Sequence, residues 1–236
     1  MTGRMIEFDA NGATAPGYLA TPDGTDAGGG PGVLVLHAWW GLTEPFRQAC
    51  DRLAEAGFVA LAPDLYRGKT TASVEEAEAL SSALNQEEER VRGDIVGALQ
   101  FLREHRATDP TGGPGAVGLI GFSMGGAYAL ATSVEASEQI AAVVLYYATY
   151  TGLDFTAARA AYLGHFAEND PFEPSESVAE LERELHAAGK QATFYTYPGT
   201  THWFFELNRA DAYDAAATAL AWERTLAFLN ATLRRS

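Results

Sequence analysis

One cysteine, Cys50, stands in a chain of 236 residues. A disulfide within the chain is thereby excluded, and such sparing use suits a reducing compartment. Basic residues are scarce too. Sixteen Lys and Arg face thirty-one Asp and Glu, a formal net charge of -15, which argues against nucleic acid or an anionic membrane surface as a partner. No apolar run approaches membrane-spanning length, and the opening Met1-Thr2-Gly3-Arg4-Met5-Ile6-Glu7 lacks the apolar core of a signal peptide. A cytoplasmic protein is expected. Five histidines and one cysteine form no clustered ligand set, so neither a metal nor an organic cofactor is expected. What the chain does have is core: 47% hydrophobic residues and four tryptophans, ample for one α/β domain over residues 1–236. Composition says nothing about oligomeric state.

Taken in order, two extended pieces, Met5–Asp9 and Gly17–Ala20, flank Asn11-Gly12, a hairpin turn signal. The stretch Pro22–Gly32 is glycine-rich but precedes a strand, so it reads as a surface loop and not a phosphate cradle. Val33–Leu36 is an unbroken apolar run of the kind buried on both faces of a parallel sheet. A helix is signalled from Thr43 as N-cap, with Glu44 and Pro45 in its first turn and Gly57 at its stop. Cys50 falls on its apolar stripe with Phe46 and Leu53, the place of a core cysteine. Phe58–Ala62 is the next strand. Two helices follow, one through Leu80 and Leu84, the other through Val91, Ile95, Leu99 and Leu102; Glu87-Glu88-Glu89 reads as the solvated first turn of the latter. After a Gly112–Gly115 turn come strands at Gly115–Ile120, Ile140–Tyr147, Ala161–Ala167 and Gln191–Tyr197. The intervening helices carry Ala127–Ala131 and Val178, Leu181 and Leu185, the second closed by Gly189, and a terminal helix spans Ala210–Leu233. Strands alternating with helices predict a mostly parallel central sheet with helices on both faces.

Chemistry concentrates at Gly121-Phe122-Ser123-Met124-Gly125-Gly126, between a strand and a small-residue helix. This is G-x-S-x-G in the setting of a nucleophile elbow, where a tight turn exposes a serine hydroxyl and the helix N-terminus aims amides at a developing oxyanion. A plain βα turn is the bland alternative. A dinucleotide loop fits less well, since Ser123 stands where the second glycine of G-x-G-x-x-G is needed. A serine nucleophile requires a base and an orienting acid, each on a loop after a later strand, in the order Ser, acid, His. His105 and His186 sit near helix ends, His165 reads as a satisfied core histidine, and His37 precedes the serine and suits loop support. His202, after the last strand and a Pro-Gly loop, has the required order and setting. For the acid, Glu168-Asn169-Asp170-Pro171 offers Asp170, held extended by the following proline, with Glu168 as the alternative.

These segments together resemble the dienelactone hydrolase family of the α/β-hydrolase fold over nearly the whole chain. The likeness rests on His37-Ala38-Trp39-Trp40-Gly41, Ala62-Pro63-Asp64-Leu65-Tyr66, Gly121–Gly126, Gly164–Pro171 and Tyr197–Phe205. The resemblance implies Ser123 as nucleophile, His202 as base and Asp170 as its orienter, with the backbone amides of Trp39 and Met124 forming the oxyanion hole. Trp40, Tyr66 and Trp203 are implied as pocket walls. Two departures stand out. The lactone-cleaving members use a cysteine and carry a glutamate after the first central strand, where this chain has Ser123 and Ala38. They also hold the substrate carboxylate with arginines, one of them shortly after the catalytic histidine; the matching position is Glu206. A carboxylate facing a carboxylate at about 4 Å costs roughly 4 kcal/mol at an effective dielectric of 20, so a small neutral ester or lactone is the expected substrate. Thioester or perester chemistry on the same residues, or a non-catalytic binding protein on a hydrolase fold, are the alternatives.

Overall fold

The computed structural model describes residues 3–10, 12–22, 29–106 and 116–234, with the side chains of 105 and 106 outside that description. The Gly112–Gly115 turn, most of the glycine-rich Pro22–Gly32 stretch and the side chain of His105 therefore lie outside the described residues. The chain divides into two compact units, Met1–Val117 and Gly118–Ser236.

In the first unit, β3 (Gly32–Leu36) and β4 (Val59–Pro63) are buried at every position. Such strands need cover on both faces, as the apolar run at Val33–Leu36 predicts. They pair in parallel, with Gly32 opposite Val59 and Leu34 opposite Leu61. Antiparallel β2 (Ala13–Ala20) follows on β4 and β1 (Arg4–Ala10) on β2. The hairpin closes at the Ala10–Ala13 pair. Gly12 takes φ 86°, and its amide donates to Asp9 Oδ1 at 3.2 Å, a turn that glycine accepts without strain. Asn11 itself lies outside the described residues. β2 begins earlier than its sequence suggests: Pro16 sits inside it opposite Glu7, and its carbonyl accepts from the Asp64 amide at 2.9 Å.

Three helices belong to this unit: α1 (Glu44–Glu55), α2 (Val74–Asn85) and α3 (Glu88–Arg106). α1 starts where expected, but not as expected. Thr43 occupies the N-cap position without making a cap hydrogen bond, and its buried hydroxyl has no partner among the described residues. The start therefore rests on Glu44 against the helix dipole and on Pro45 in the first turn. Phe46, Ala49, Cys50 and Leu53 form the buried stripe of α1, and burial pushes the Cys50 thiol well above its ordinary range. His37, just past β3, is fully buried; its Nδ1 donates to the Ala38 carbonyl at 2.7 Å and its Nε2 accepts from the Leu65 amide at 3.2 Å. Burial lowers its pKa, so a neutral ring ties the ends of β3 and β4 together, the loop support expected of it.

The second unit carries β5 (Val117–Phe122) from its second residue, β6 (Ile140–Tyr146), β7 (Ala161–Asn169) and β8 (Ala192–Thr201), in that spatial order. β6, β7 and β8 run parallel, with Val143 opposite Tyr162 and Gly164 opposite Phe194. Helices α4 (Met124–Glu135), α5 (Ser175–Ala187) and α6 (Ala215–Leu233) follow β5, β7 and β8. α6 starts five residues later than the sequence suggests. Asp214 is its cap, with Oδ1 accepting from the Ala217 amide at 2.8 Å, and the stretch before it is spent in turns. No helix among the described residues is long and apolar enough to cross a membrane.

His165, in β7, is fully buried between the Tyr197 hydroxyl at 2.8 Å and Thr225 Oγ1 at 3.0 Å. It is the satisfied core histidine that its strand position suggests. Burial first, and Arg224 second, press its pKa down from 6.5 to about 3. Below pH 6.5 the unfolded chain binds a proton that the folded one refuses, so this residue costs stability progressively as pH falls towards about 3. Thermal melts between pH 7 and pH 3 are expected to fall steeply in the parent protein and less steeply in His165→Gln, although that variant is less stable at pH 7. Parallel slopes would remove His165 from the account of acid sensitivity.

Candidate active site

β5 ends in Gly121-Phe122 and hands the chain to α4 through Ser123, whose backbone takes φ 48° and ψ -118°. A positive φ is costly for a residue with a Cβ and persists only where its surroundings impose it. Here they do. The Ser123 amide donates to the Tyr146 carbonyl at 3.0 Å, and its own carbonyl accepts from the Gly126 amide at 2.7 Å. The neighbouring glycines make the turn possible: a Cβ on Gly121 would lie 2.5 Å from the Gly125 carbonyl oxygen, and one on Gly126 would lie 2.2 Å from the Ala148 Cβ. Gly121 thus has a steric reason to lack a Cβ within the turn, and Gly126, one residue beyond G-x-S-x-G, has one in its packing on Ala148.

The Ser123 hydroxyl is 2.9 Å from His202 Nε2. His202 follows β8, and its Nδ1 lies 2.7 Å and 2.9 Å from the two carboxylate oxygens of Asp170, which follows β7. Both partner side chains are almost wholly buried, 3% exposed for His202 and 2% for Asp170. The carboxylate is itself aimed, since Oδ1 accepts from the amides of Phe172 at 2.9 Å and Glu173 at 3.0 Å. With Nδ1 donating to that carboxylate, Nε2 presents its lone pair to the serine hydroxyl, the geometry a general base needs. Glu168, the alternative acid, is engaged elsewhere: its Oε2 accepts from the Gly199 amide at 2.9 Å. The amide of Met124 lies at the first turn of α4, beside Ser123.

Three aromatic rings surround the imidazole: Tyr147 at 4.8 Å, Phe172 at 4.9 Å and Trp203 at 5.0 Å between centroids. Trp203 is one of the residues expected in the pocket wall; its backbone is left-handed, φ 68°. Tyr147 and Phe172 escaped the sequence reading. Tyr147 looks like the last apolar residue of a strand, and Phe172 like a loop residue; no spacing rule marks either. A cavity of about 850 Å³ opens beside His202 and Asp170, walled also by Phe166, Phe172 and Trp203. Its remaining lining includes Glu168, Glu173, Glu176, Glu182 and Asp211, the last paired with Arg209 at 3.1 Å; among the described residues no Lys or Arg lines it, and Ser123 lies outside it. Glu173 accepts a hydrogen bond from Thr149 Oγ1; burial, aided by Asp170, raises its pKa to about 7.

Glu206, expected to face substrate, is fully buried and is not among the residues lining this cavity. Its Oε1 accepts from the Tyr147 hydroxyl at 2.8 Å. Desolvation lifts its pKa to about 8 against the opposing pull of the Tyr147 bond and Arg209. Trp39, Trp40 and Tyr66 belong to the first unit, at the ends of β3 and β4. The Trp39 and Trp40 rings meet edge to face at 5.1 Å, Tyr66 packs on His37 at 5.3 Å, and both Trp40 and Tyr66 are buried. Among the described residues no three His, Cys, Asp or Glu side chains are grouped as a metal ion would require.

Comparison with known proteins bears on the chain as a whole. Protein usf of Aquifex pyrophilus is 34% identical over 232 residues, covering 96% of this chain and 97% of that one. A Bradyrhizobium sp. protein named "Probable 2-oxo-3-(5-oxofuran-2-ylidene)propanoate lactonase" is 30% identical over 235 residues, covering 95% and 92%. Among solved structures, a dienelactone hydrolase-like promiscuous phosphotriesterase from metagenomic libraries superposes with a TM-score of 0.83 at 21% identity, covering 98% of both chains. An α/β hydrolase from a Medee basin deep-sea metagenome library gives 0.71 at 15%, covering 99% of both. The fold is that of the α/β hydrolases. Residues 15–233, which include Ser123, Asp170 and His202, match the dienelactone hydrolase family, and the chain belongs to it.

Proposed function

We propose that the protein is a serine hydrolase that cleaves carboxylic esters or lactones through an acyl-enzyme, with residues 1–236 acting as one domain. The observation that carries this reading is the continuous hydrogen-bonded line from Ser123 Oγ through His202 to Asp170, at 2.9 Å and 2.7 Å. Membership of the family supports hydrolysis of ester or lactone bonds. His202 Nε2 takes the hydroxyl proton as Ser123 Oγ attacks the carbonyl carbon, and Asp170 steadies the imidazolium that results. The amide of Met124, at the first turn of α4 beside Ser123, is assigned to the oxyanion. Collapse of the tetrahedral intermediate expels the leaving oxygen, which receives the proton from His202. A water molecule, deprotonated by the same nitrogen, then releases the acid and restores the serine.

The preferred substrate is small and neutral. Glu168, Glu176 and Glu182, on the cavity beside His202 and Asp170, support this reading, because an anionic group crossing that cavity towards His202 meets repulsion that salt screens over about 8–10 Å. Two measurements test the two parts. A fluorophosphonate is expected to label the protein once, on the peptide carrying Ser123. A labelled panel of esters matched in size is expected to show kcat/KM higher for the neutral member than for one bearing a free carboxylate, with the gap narrowing in salt. Labelling at another residue overturns the nucleophile; equal rates at low salt overturn the charge preference alone.

A further inference from the structure

His202 is held by two bonds in the plane of its ring, one at each nitrogen. Such bonds leave the ring free to tilt about the line joining them; only what presses on its faces prevents that. Of the three aromatic neighbours, Phe172 is half exposed and Trp203 lies edge-on at 85°. Tyr147, tilted by 57° to the imidazole, is wholly buried, and its hydroxyl at the far end donates to Glu206 Oε1. Glu206 in turn stands four residues after His202 on the same loop, with its amide bonded to the Trp203 carbonyl at 2.9 Å. The Tyr147–Glu206 bond therefore spans from the end of β6 to the loop that carries the imidazole. Tyr147 and Trp203 both hold left-handed backbones, φ 41° and 68°, a conformation that is strained for such residues and needs surroundings that enforce it.

We propose that Tyr147 and Glu206 are positioning residues for the reaction: the buried carboxyl anchors the Tyr147 hydroxyl, and the Tyr147 ring backs His202 so that Nε2 stays on the line to Ser123 Oγ. The inference rests on the serine hydrolase reading above and gives Glu206 a task inside the protein wall. The working form of Glu206 is the neutral acid. Its second oxygen, Oε2, has no hydrogen-bond partner among the described residues, a state that a buried carboxylate could hold only at great cost. The raised pKa of about 8 agrees with this. The groups that act on the pair are Arg209 on Glu206, and Tyr146 and Asp170 on Tyr147; none supplies a full counter-charge in hydrogen-bond contact with Oε2.

The test uses Tyr147→Phe, Glu206→Leu and Glu206→Gln in the full chain, with fluorophosphonate titration to count competent sites. A role confined to folding would lower the number of titratable sites and leave kcat per site unchanged. Positioning lowers kcat per site, by about tenfold to a hundredfold for a small misplacement of a catalytic group, with KM nearly constant. Glutamine keeps an oxygen for the Tyr147 hydroxyl without a charge, so Glu206→Gln is expected to recover most of the loss seen in Glu206→Leu. Unchanged kcat per site in Tyr147→Phe overturns the proposal even if Glu206→Leu does not fold. Glu206→Gln as impaired as Glu206→Leu overturns the neutral-acid form of it. Failure of the parent protein to be labelled at Ser123 at all would instead remove the serine hydrolase reading beneath.

Discussion

Ser123→Ala is expected to lower kcat on a reactive ester by roughly five to six orders of magnitude, leaving a residue of catalysis from binding and oxyanion contacts, while the melting temperature hardly moves. The second half of that expectation is structural. The Ser123 side chain makes no cap bond to α4, and alanine at φ 48° carries the same backbone strain as serine, so nothing that stabilises the turn is lost. The measurement is steady-state turnover beside thermal melts. Wild-type turnover in the variant removes Ser123 from the mechanism; a collapsed melting curve would show that the hydroxyl supports the fold.

Asp170→Asn is the next largest, about 10⁴ in kcat near neutral pH by analogy with triads in which the acid sets the tautomer. The local bonds say why asparagine fails. The amides of Phe172 and Glu173 both donate to Oδ1, so the amide oxygen of asparagine is required there. Its NH₂ group then occupies the place of Oδ2, 2.7 Å from His202 Nδ1. Two donors cannot face one another, and the imidazole must move its proton to Nε2, where it can no longer accept from Ser123. Glu168→Gln, at a side chain that accepts from the Gly199 amide and does not bond His202, is expected to change kcat by less than about threefold. The opposite ranking would make Glu168 the orienting acid.

Much of this site could be read from residue order because its parts answer to strong local rules. Gly121 is needed by a turn that tolerates no Cβ there, and His202 and Asp170 each follow a strand in the order that the chemistry demands. What escaped was governed by tertiary placement. Tyr147 and Phe172 meet His202 through the register of β6 and the path of the loop after β7, which no sequence spacing encodes. Strand ends went the same way: β7 runs to Asn169 and β8 to Thr201, although both tails are polar and resemble loops. At the other end of the argument, Thr43 has the right chemistry for a cap and does not use it; propensity marked the position, and packing decided the bond. Glu206 was informative only as a mismatch, an acid where related sequences suggest a base, and its burial could not be inferred from that.

Cys50 gives the molecule a built-in reporter of its own opening. The single thiol lies wholly enclosed in α1 with its pKa driven upward by burial, so in the closed state it offers almost no thiolate to a maleimide or a disulfide reagent. Modification must wait for α1 to come away from the strands it covers. Under dilute reagent the rate then follows the equilibrium population of the open form, and under concentrated reagent it follows the opening rate itself. Because the active-site probe reacts with a hydroxyl and this one with a thiol, the two chemistries can be run in the same tube, one counting competent sites while the other times excursions from the native state.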